Sequence, residues 1–257
     1  MRPNISNCHA LPGTLITFEW PDGSGKSTQI RMLKKLLERE GKKVTVSSWK
    51  NCPILGDFLK QNESLKKFDE RVLPETNLFL QAADLLYRIE REVIPAMKKW
   101  HTVILDRGVQ TLIVRGLMLG MSDYQLRSGL LWWRNSIYRE LFDGATTIEL
   151  TITLDESLTR LKKRAMKENT SLTKAEKKSE GTLLGLDFIN ALVYSPEGKK
   201  MTRNDKRNFI RKTQGDIIET YKKVFKDEKG KVLAINGEWS LKEVEYELKR
   251  KVVDSIF

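Results

Sequence analysis

Glycine, lysine and hydroxyl side chains gather in the segment TLITFEWPDGSGKST at 14–28, a combination suited to holding a phosphate chain. Backbone N–H groups of Gly23, Ser24, Gly25, Lys26 and Ser27 can converge on the β-phosphate of a nucleotide, helped by the positive end of a helix beginning there. Lys26 would bridge the β- and γ-phosphates and the Ser27 hydroxyl would ligate Mg²⁺, with Thr28 closing the motif. The pattern G-x-x-x-x-G-K-[ST] wants glycine five residues before Gly25, and this chain has Trp20. A side chain there burdens the sharp turn under the phosphates. The indole must therefore either pack outward against the neighbouring strand or crowd the loop.

Three further groups could work with that loop. TVILDRG at 102–108 is an apolar run delivering Asp106, a carboxylate able to hold Mg²⁺ directly or through water, with Arg107 beside it as a bidentate phosphate ligand. Its plainer account is an ion pair at a strand end. Arg160 and Arg164 in SLTRLKKR share one helix face at i,i+4 spacing and could neutralise charge developing during phosphoryl transfer. The plainer account is a solvated helix with Leu158 and Leu161 turned inward. In AADLLYRIEREVIPAM, Arg88 lies on the Asp84 face of a largely apolar helix, so the pair either reads out a polar ligand group or only stabilises the helix.

These groups need a scaffold that brings them together. The pattern predicts strands at 14–19, 43–47, 102–106, 147–153 and 231–235. Helices are predicted at 27–40, 55–62, 74–99, 155–167, 205–226 and 239–254, with two helical segments across 109–141. Gly41 closes the first helix, and Ser240 with Glu243 forms a capping-box pattern for the last. Such alternation implies an α/β fold, a doubly wound parallel five-stranded sheet with helices on both faces. Ligands then sit beyond the carboxyl ends of the strands, where the 20–26 loop, Ser47–Pro53 and Asp106-Arg107 would surround one crevice.

Composition narrows the classes. At 257 residues and 40% hydrophobic, the chain can bury the core of one sizeable globular domain. Cys8 and Cys52 show no disulfide pattern, and His9 and His101 are too few for a Cys/His metal site, so a reducing cytoplasm is expected. Neither a signal-peptide core in the first 13 residues nor an apolar run near 18 is present, so no membrane partner is expected. Of the formal charge of +12, +9 falls between Arg160 and Lys212, where 15 Lys/Arg face 6 Asp/Glu. That basic stretch suits a nucleoside polyphosphate or, less readily, a nucleic-acid backbone; most of its lysines read as solvated surface.

With these features in view, the chain resembles the thymidylate kinase family, in particular its archaeal-type branch, over residues 14–254. FEWPDGSGKSTQ resembles the family's F-E-G-x-D-G-x-G-K-S-T-Q, LDRGVQTLIVRG is similar to D-R-Y-x-x-T-x-x-A-R-D, and RLKKR matches its lid arginines. The resemblance implies a P-loop nucleoside-monophosphate kinase fold with a basic lid insertion at about 160–203, a kinase domain over 14–257 and an N-terminal extension over 1–13. It implies transfer of the γ-phosphoryl of ATP to dTMP with Mg²⁺, and a homodimer formed through the first long helices. Carried over by motif, Asp22 faces the deoxyribose 3′-hydroxyl, Gly23 to Thr28 hold the donor, and Ser27 and Asp106 hold the metal. Arg88, Arg107, Thr111 and Arg115 meet the acceptor, and Arg160 and Arg164 belong to the lid. Trp20, Gly108, Val114 and Gly116 depart from the pattern, and Asp84 stands where relatives place an aromatic one turn before Arg88. Most departures fall on the acceptor side, which leaves open a same-fold kinase with another acceptor, or a paralogue that binds nucleotide with weak or no turnover.

Overall fold

The computed structural model describes residues 11–49, 52–53, 55–64, 73–136, 138–171, 200–226, 228 and 231–256. Most of the N-terminal extension (1–10) and most of the lid segment (172–199) thus lie outside the described residues, as does the side chain of Arg164. Five strands, β1 (Thr14–Glu19), β2 (Val44–Ser47), β3 (Thr102–Asp106), β4 (Thr146–Thr151) and β5 (Lys231–Asn236), form one sheet. Its order is β2-β3-β1-β4-β5 and every pairing is parallel. Consecutive residues from Leu15 to Glu19 are all buried, so both faces of the central strand are covered.

Helix α1 (Lys26–Arg39) follows β1 and turns Ile30, Leu33, Leu36 and Leu37 inward, the spacing of a single helical face. Gly41, at φ 74°, ends it. Helix α2 (Leu55–Ser64) leads to α3 (Pro74–Arg88), which starts with proline in its first turn and runs on through a π-turn at Ile89–Val93 to the short Ile94–Met97 helix. The single helix expected over 74–99 is thus interrupted, although Leu85, Ile89 and Val93 still present one buried face.

Helix α4 (Val109–Met118) leaves β3, and short segments at Gln125–Leu130, Trp132–Ser136 and Arg139–Asp143 fill the span where two helical segments were predicted. Helices α5 (Leu154–Ser171), α6 (Arg203–Lys226) and α7 (Leu241–Leu248) complete the layers. Ser240 and Glu243 make the reciprocal capping box at the start of α7. Burying each large aliphatic of this core contributes about 1.5–3 kcal/mol before entropy is set against it. Among the described residues no helix is long and apolar enough to cross a membrane.

Because all five strands run the same way, β1, β2 and β3 end at one edge of the sheet. Phe18 lies opposite Asp106 and Ser47 opposite Leu105, so the three predicted loops do share one crevice.

Candidate active site

The loop between β1 and α1 bends through two left-handed glycines, Gly23 at φ 87° and Gly25 at φ 91°. Residues Pro21–Thr28 line a cleft of about 220 Å³, with Arg160 and Leu161 along its other side. α5 and α6 brace the loop from behind. The Ser157 hydroxyl and the Gln214 amide both donate to the Asp22 carbonyl, at 3.2 and 3.3 Å. A Cβ on Gly23 would stand 2.9 Å from the Ser157 carbonyl oxygen, so only glycine lets the loop pass this close. Buried Ser24 Oγ has no partner among the described residues, leaving a hydroxyl inside the cradle for a ligand atom. Arg160 donates to the Ser24 carbonyl at 3.3 Å while paired with Glu156, which sets one of the two candidate lid arginines on the loop itself.

Trp20 does not crowd this loop. Its indole is fully buried against α6, 5.4 Å from the Tyr221 ring and 6.1 Å from Phe225. The expected outward packing is therefore met by a helix and not by the neighbouring strand. An aromatic trio replaces whatever a glycine would have left open, at a gain of about 0.5–1.5 kcal/mol per ring pair beyond simple burial.

At the mouth of the cradle, Lys26 Nζ pairs with Asp106 Oδ1 at 3.0 Å. Burial, and then the charge of Arg107, pull the Lys26 ammonium below its usual pKa, against the opposing carboxylates of Asp106 and Asp22. Arg107 pairs with Asp22 and donates to the Trp20 carbonyl at 3.5 Å. Burial lowers the Arg107 pKa, but Asp22 leads the negative groups that outweigh it and hold the guanidinium above its ordinary value. Arg107 also adopts φ 61°, an unusual conformation for a bulky residue, fixed by its N–H donating to the Phe18 carbonyl at 3.1 Å.

Next to this junction lie the residues expected to meet an acceptor. Arg88 is fully buried, paired with Asp84 at 2.9 Å, and donates to the carbonyls of Asp106 and Arg107 at 3.4 and 3.3 Å. It acts as a strut under the strained turn. Arg115 is half-buried and donates to Gln81 at 2.6 Å. Thr111 is fully buried, donating to Glu19 at 2.5 Å and sharing a hydrogen bond with Tyr221 at 2.9 Å. Gly116 packs directly against the Leu126 side chain, so an aspartate in that place would force that side chain aside.

Two residues of this region were not singled out from sequence. Glu19 accepts from Gly108 N–H at 2.6 Å as well as from Thr111, and burial raises its carboxyl to about pKa 7 despite those bonds. Trp49, on the loop after β2, has the guanidinium carbons of Arg88, Arg107 and Arg115 at 5.5, 5.9 and 5.3 Å from its ring centre. The sequence signal for Trp49 was an aromatic in a loop due at the carboxyl edge of the sheet; that for Glu19 was its place as the glutamate of the F-E-G pattern that FEWPDG resembles.

A parallel five-stranded sheet with a glycine-turned cradle after its central strand, and a lysine–carboxylate pair at the mouth, defines a P-loop α/β protein of the nucleoside-monophosphate kinase class. Within that class the chain belongs to the thymidylate kinase family, a family of phosphotransferases, whose sequence profile matches residues 18–183. It is 27% identical to a probable thymidylate kinase 2 of Saccharolobus solfataricus over 240 residues, 93% of this chain and 95% of that protein. It is also 28% identical to a thymidylate kinase of an Exiguobacterium species over 212 residues, covering 81% of this chain and 94% of that one. A thymidylate kinase of Bacillus pumilus is 30% identical over 158 residues, covering 59% of this chain and 69% of that one.

Proposed function

We propose that the chain transfers the γ-phosphoryl of ATP to dTMP, giving dTDP and ADP, the step that leads toward dTTP. The observation that carries this reading is the junction of two ion pairs, Lys26–Asp106 and Arg107–Asp22, between the glycine cradle and a cluster of arginines. One pair belongs to the donor side and the other faces the acceptor, so a transferring phosphoryl would pass between fixed positive charges.

In this reading Gly23 to Thr28 grip the ATP phosphates through backbone N–H groups, with the Ser24 hydroxyl, unpartnered among the described residues, as a further donor. Lys26 would exchange its contact with Asp106 for the β- and γ-phosphates. Mg²⁺ would neutralise charge on the phosphates; Ser27 and Asp106 would hold it. Ser27 in the first turn of α1 and Asp106 at the end of β3 offer the hydroxyl and carboxylate oxygens that such an ion takes. Asp22 would face the acceptor sugar, Arg107 and Arg115 its phosphate, and Arg160 with Arg164 would close over the donor. Arg88 and Thr111 would support the acceptor pocket from the protein side, by fixing the 106–108 turn and the Glu19–Tyr221 network. The same reading takes 14–257 as one kinase domain with its lid at about 160–203, working in the cytoplasm as a homodimer.

The test is a coupled ADP-release assay with ATP, Mg²⁺ and a panel of monophosphates including dTMP, dUMP, dCMP and AMP. Preference for dTMP is expected. Strong preference for another member overturns the acceptor, and ATP binding without transfer to any member overturns catalysis.

A further inference from the structure

Glu19 ends β1, one position before Trp20, and the reaction as described gives its carboxyl no task of its own. The residue is fully buried, and both of its oxygens are engaged by the segment that follows β3. Oε1 accepts the Gly108 N–H at 2.6 Å, and Oε2 accepts the Thr111 hydroxyl at 2.5 Å. Taking a carboxyl group out of water costs stability unless such bonds replace the lost hydration. What those bonds hold in place is the turn carrying Arg107.

Arg107 sits at φ 61°, a conformation that a bulky residue leaves unless its surroundings fix it. Two planar peptide units flank its Cα, and each is held at both ends. In the first, the Asp106 carbonyl accepts from Arg88 at 3.4 Å and the Arg107 N–H donates to the Phe18 carbonyl at 3.1 Å. In the second, the Arg107 carbonyl accepts from Arg88 at 3.3 Å and the Gly108 N–H donates to Glu19. Fixing both planes fixes φ and ψ, and with them the direction in which the Arg107 side chain leaves the backbone. Glu19 supplies the fourth of these restraints. Its carboxyl is itself braced, because Thr111 shares a hydrogen bond with the Tyr221 hydroxyl at 2.9 Å. The Tyr221 ring in turn packs against Trp20 at 5.4 Å and Phe225 at 6.0 Å.

We infer that Glu19 is the positioning residue for Arg107: its carboxyl fixes the 107–108 peptide and so keeps the guanidinium at the junction between donor and acceptor. Thr111 and Tyr221 keep that carboxyl in place. Trp20, where the family pattern has glycine, closes the brace from the β1 side. This inference rests on the proposed role of Arg107 in phosphoryl transfer and names what aims it. A glutamine can serve in the same place, its carbonyl accepting from Gly108 and its amide donating to the Thr111 hydroxyl, which both gives and receives hydrogen bonds.

The test is a double-mutant cycle in steady-state kinetics: wild type, Glu19→Ala, Arg107→Ala and the two combined. A misaimed Arg107 predicts kcat lowered about 10–10²-fold in E19A, with a raised KM for dTMP and a KM for ATP within about twofold of wild type. In the Arg107→Ala background the same change should cost less than about twofold more, because the residue it acts through is gone. Glu19→Gln should recover most of the E19A loss. Unchanged kinetics in folded E19A, losses that multiply in the double variant, or an E19Q as impaired as E19A each overturn the inference. Tyr221→Phe keeps the ring packing and removes the hydroxyl, so it carries the test should E19A not fold. A kcat loss of about two- to tenfold is expected there, absent from the Arg107→Ala background; the same loss persisting in that background overturns the inference. If wild type transfers phosphoryl to no monophosphate, the proposed function fails separately, and the crystal structure of E19A, or of Y221F, still decides the role of Glu19. Arg107 leaving its left-handed conformation supports it, and an unmoved Arg107 overturns it.

Discussion

The glycine cradle and the arginine cluster around Trp49 meet at Asp106 and Arg107, yet they are built on different principles. The cradle is made of consecutive residues, its geometry set by two left-handed glycines and the start of α1. The cluster is made of side chains from α3, α4, the β2 loop and the turn after β3, held by buried charges. A backbone device survives local substitution well, as the displaced Trp20 indole shows. A side-chain device depends on each of its struts.

That contrast can be attacked from both sides. The largest effect is expected at Lys26→Ala, where removing the charge-stabilising ammonium should lower kcat about 10²–10³-fold or more, with the fold and dTMP binding retained. Near-normal turnover would remove the cradle from the mechanism. Asp84→Ala leaves the fully buried Arg88 without its carboxylate and frees the Cys52 N–H. Stability should drop by about 3–5 kcal/mol, and the KM for dTMP should rise with the KM for ATP little changed. Thermal unfolding and kinetics together check this, and an equal rise in both constants would erase the distinction between the two regions.

Trp20→Gly restores the family's loop residue while emptying the space beside Tyr221 and Phe225. The expected result is a loss of about 3–5 kcal/mol in denaturant unfolding with little change in the KM for ATP. A gain in stability would mean the indole does crowd the cradle. The smallest effect concerns pH. Glu19 titrates at about 7 in the folded protein against an ordinary value of 4.5, because burial disfavours its charge. The folded state therefore keeps a proton that the unfolded state releases between those values. The resulting stability, about 3 kcal/mol, is complete below the lower value and lost as pH rises through about 7. Glu19→Gln removes that dependence, so its melting temperature should gain on wild type from pH 5 to 7. Parallel curves would show that the carboxyl titrates normally.

The difference between the regions also explains what could be read in advance. Sheet class, the five strands, the Gly41 stop and the Ser240 cap followed from periodicity and turn chemistry, because these depend on neighbours a few residues apart. The shared crevice followed from parallel strands ending at one edge. The interruptions at Ile89–Val93 and Gln125–Leu130 were not read in advance although each has a local marker, Pro95 just after the first and the Ser128-Gly129 pair inside the second, because a π-turn leaves the apolar face in step. Thr111 carried a role by motif position, yet the fold turns it toward Glu19 and Tyr221.

By itself, the chain determined that a glycine-turned loop follows the first strand and that a carboxylate and an arginine end the third. Hydrogen-bonding backbone and near-neighbour spacing specify both. Tertiary structure alone decided that Trp20 leaves the loop for α6, that Glu19 keeps its proton far above the usual carboxylate range, and that three arginines close around Trp49. Those outcomes depend on burial and on charges brought together from distant segments, and no local pattern encodes either.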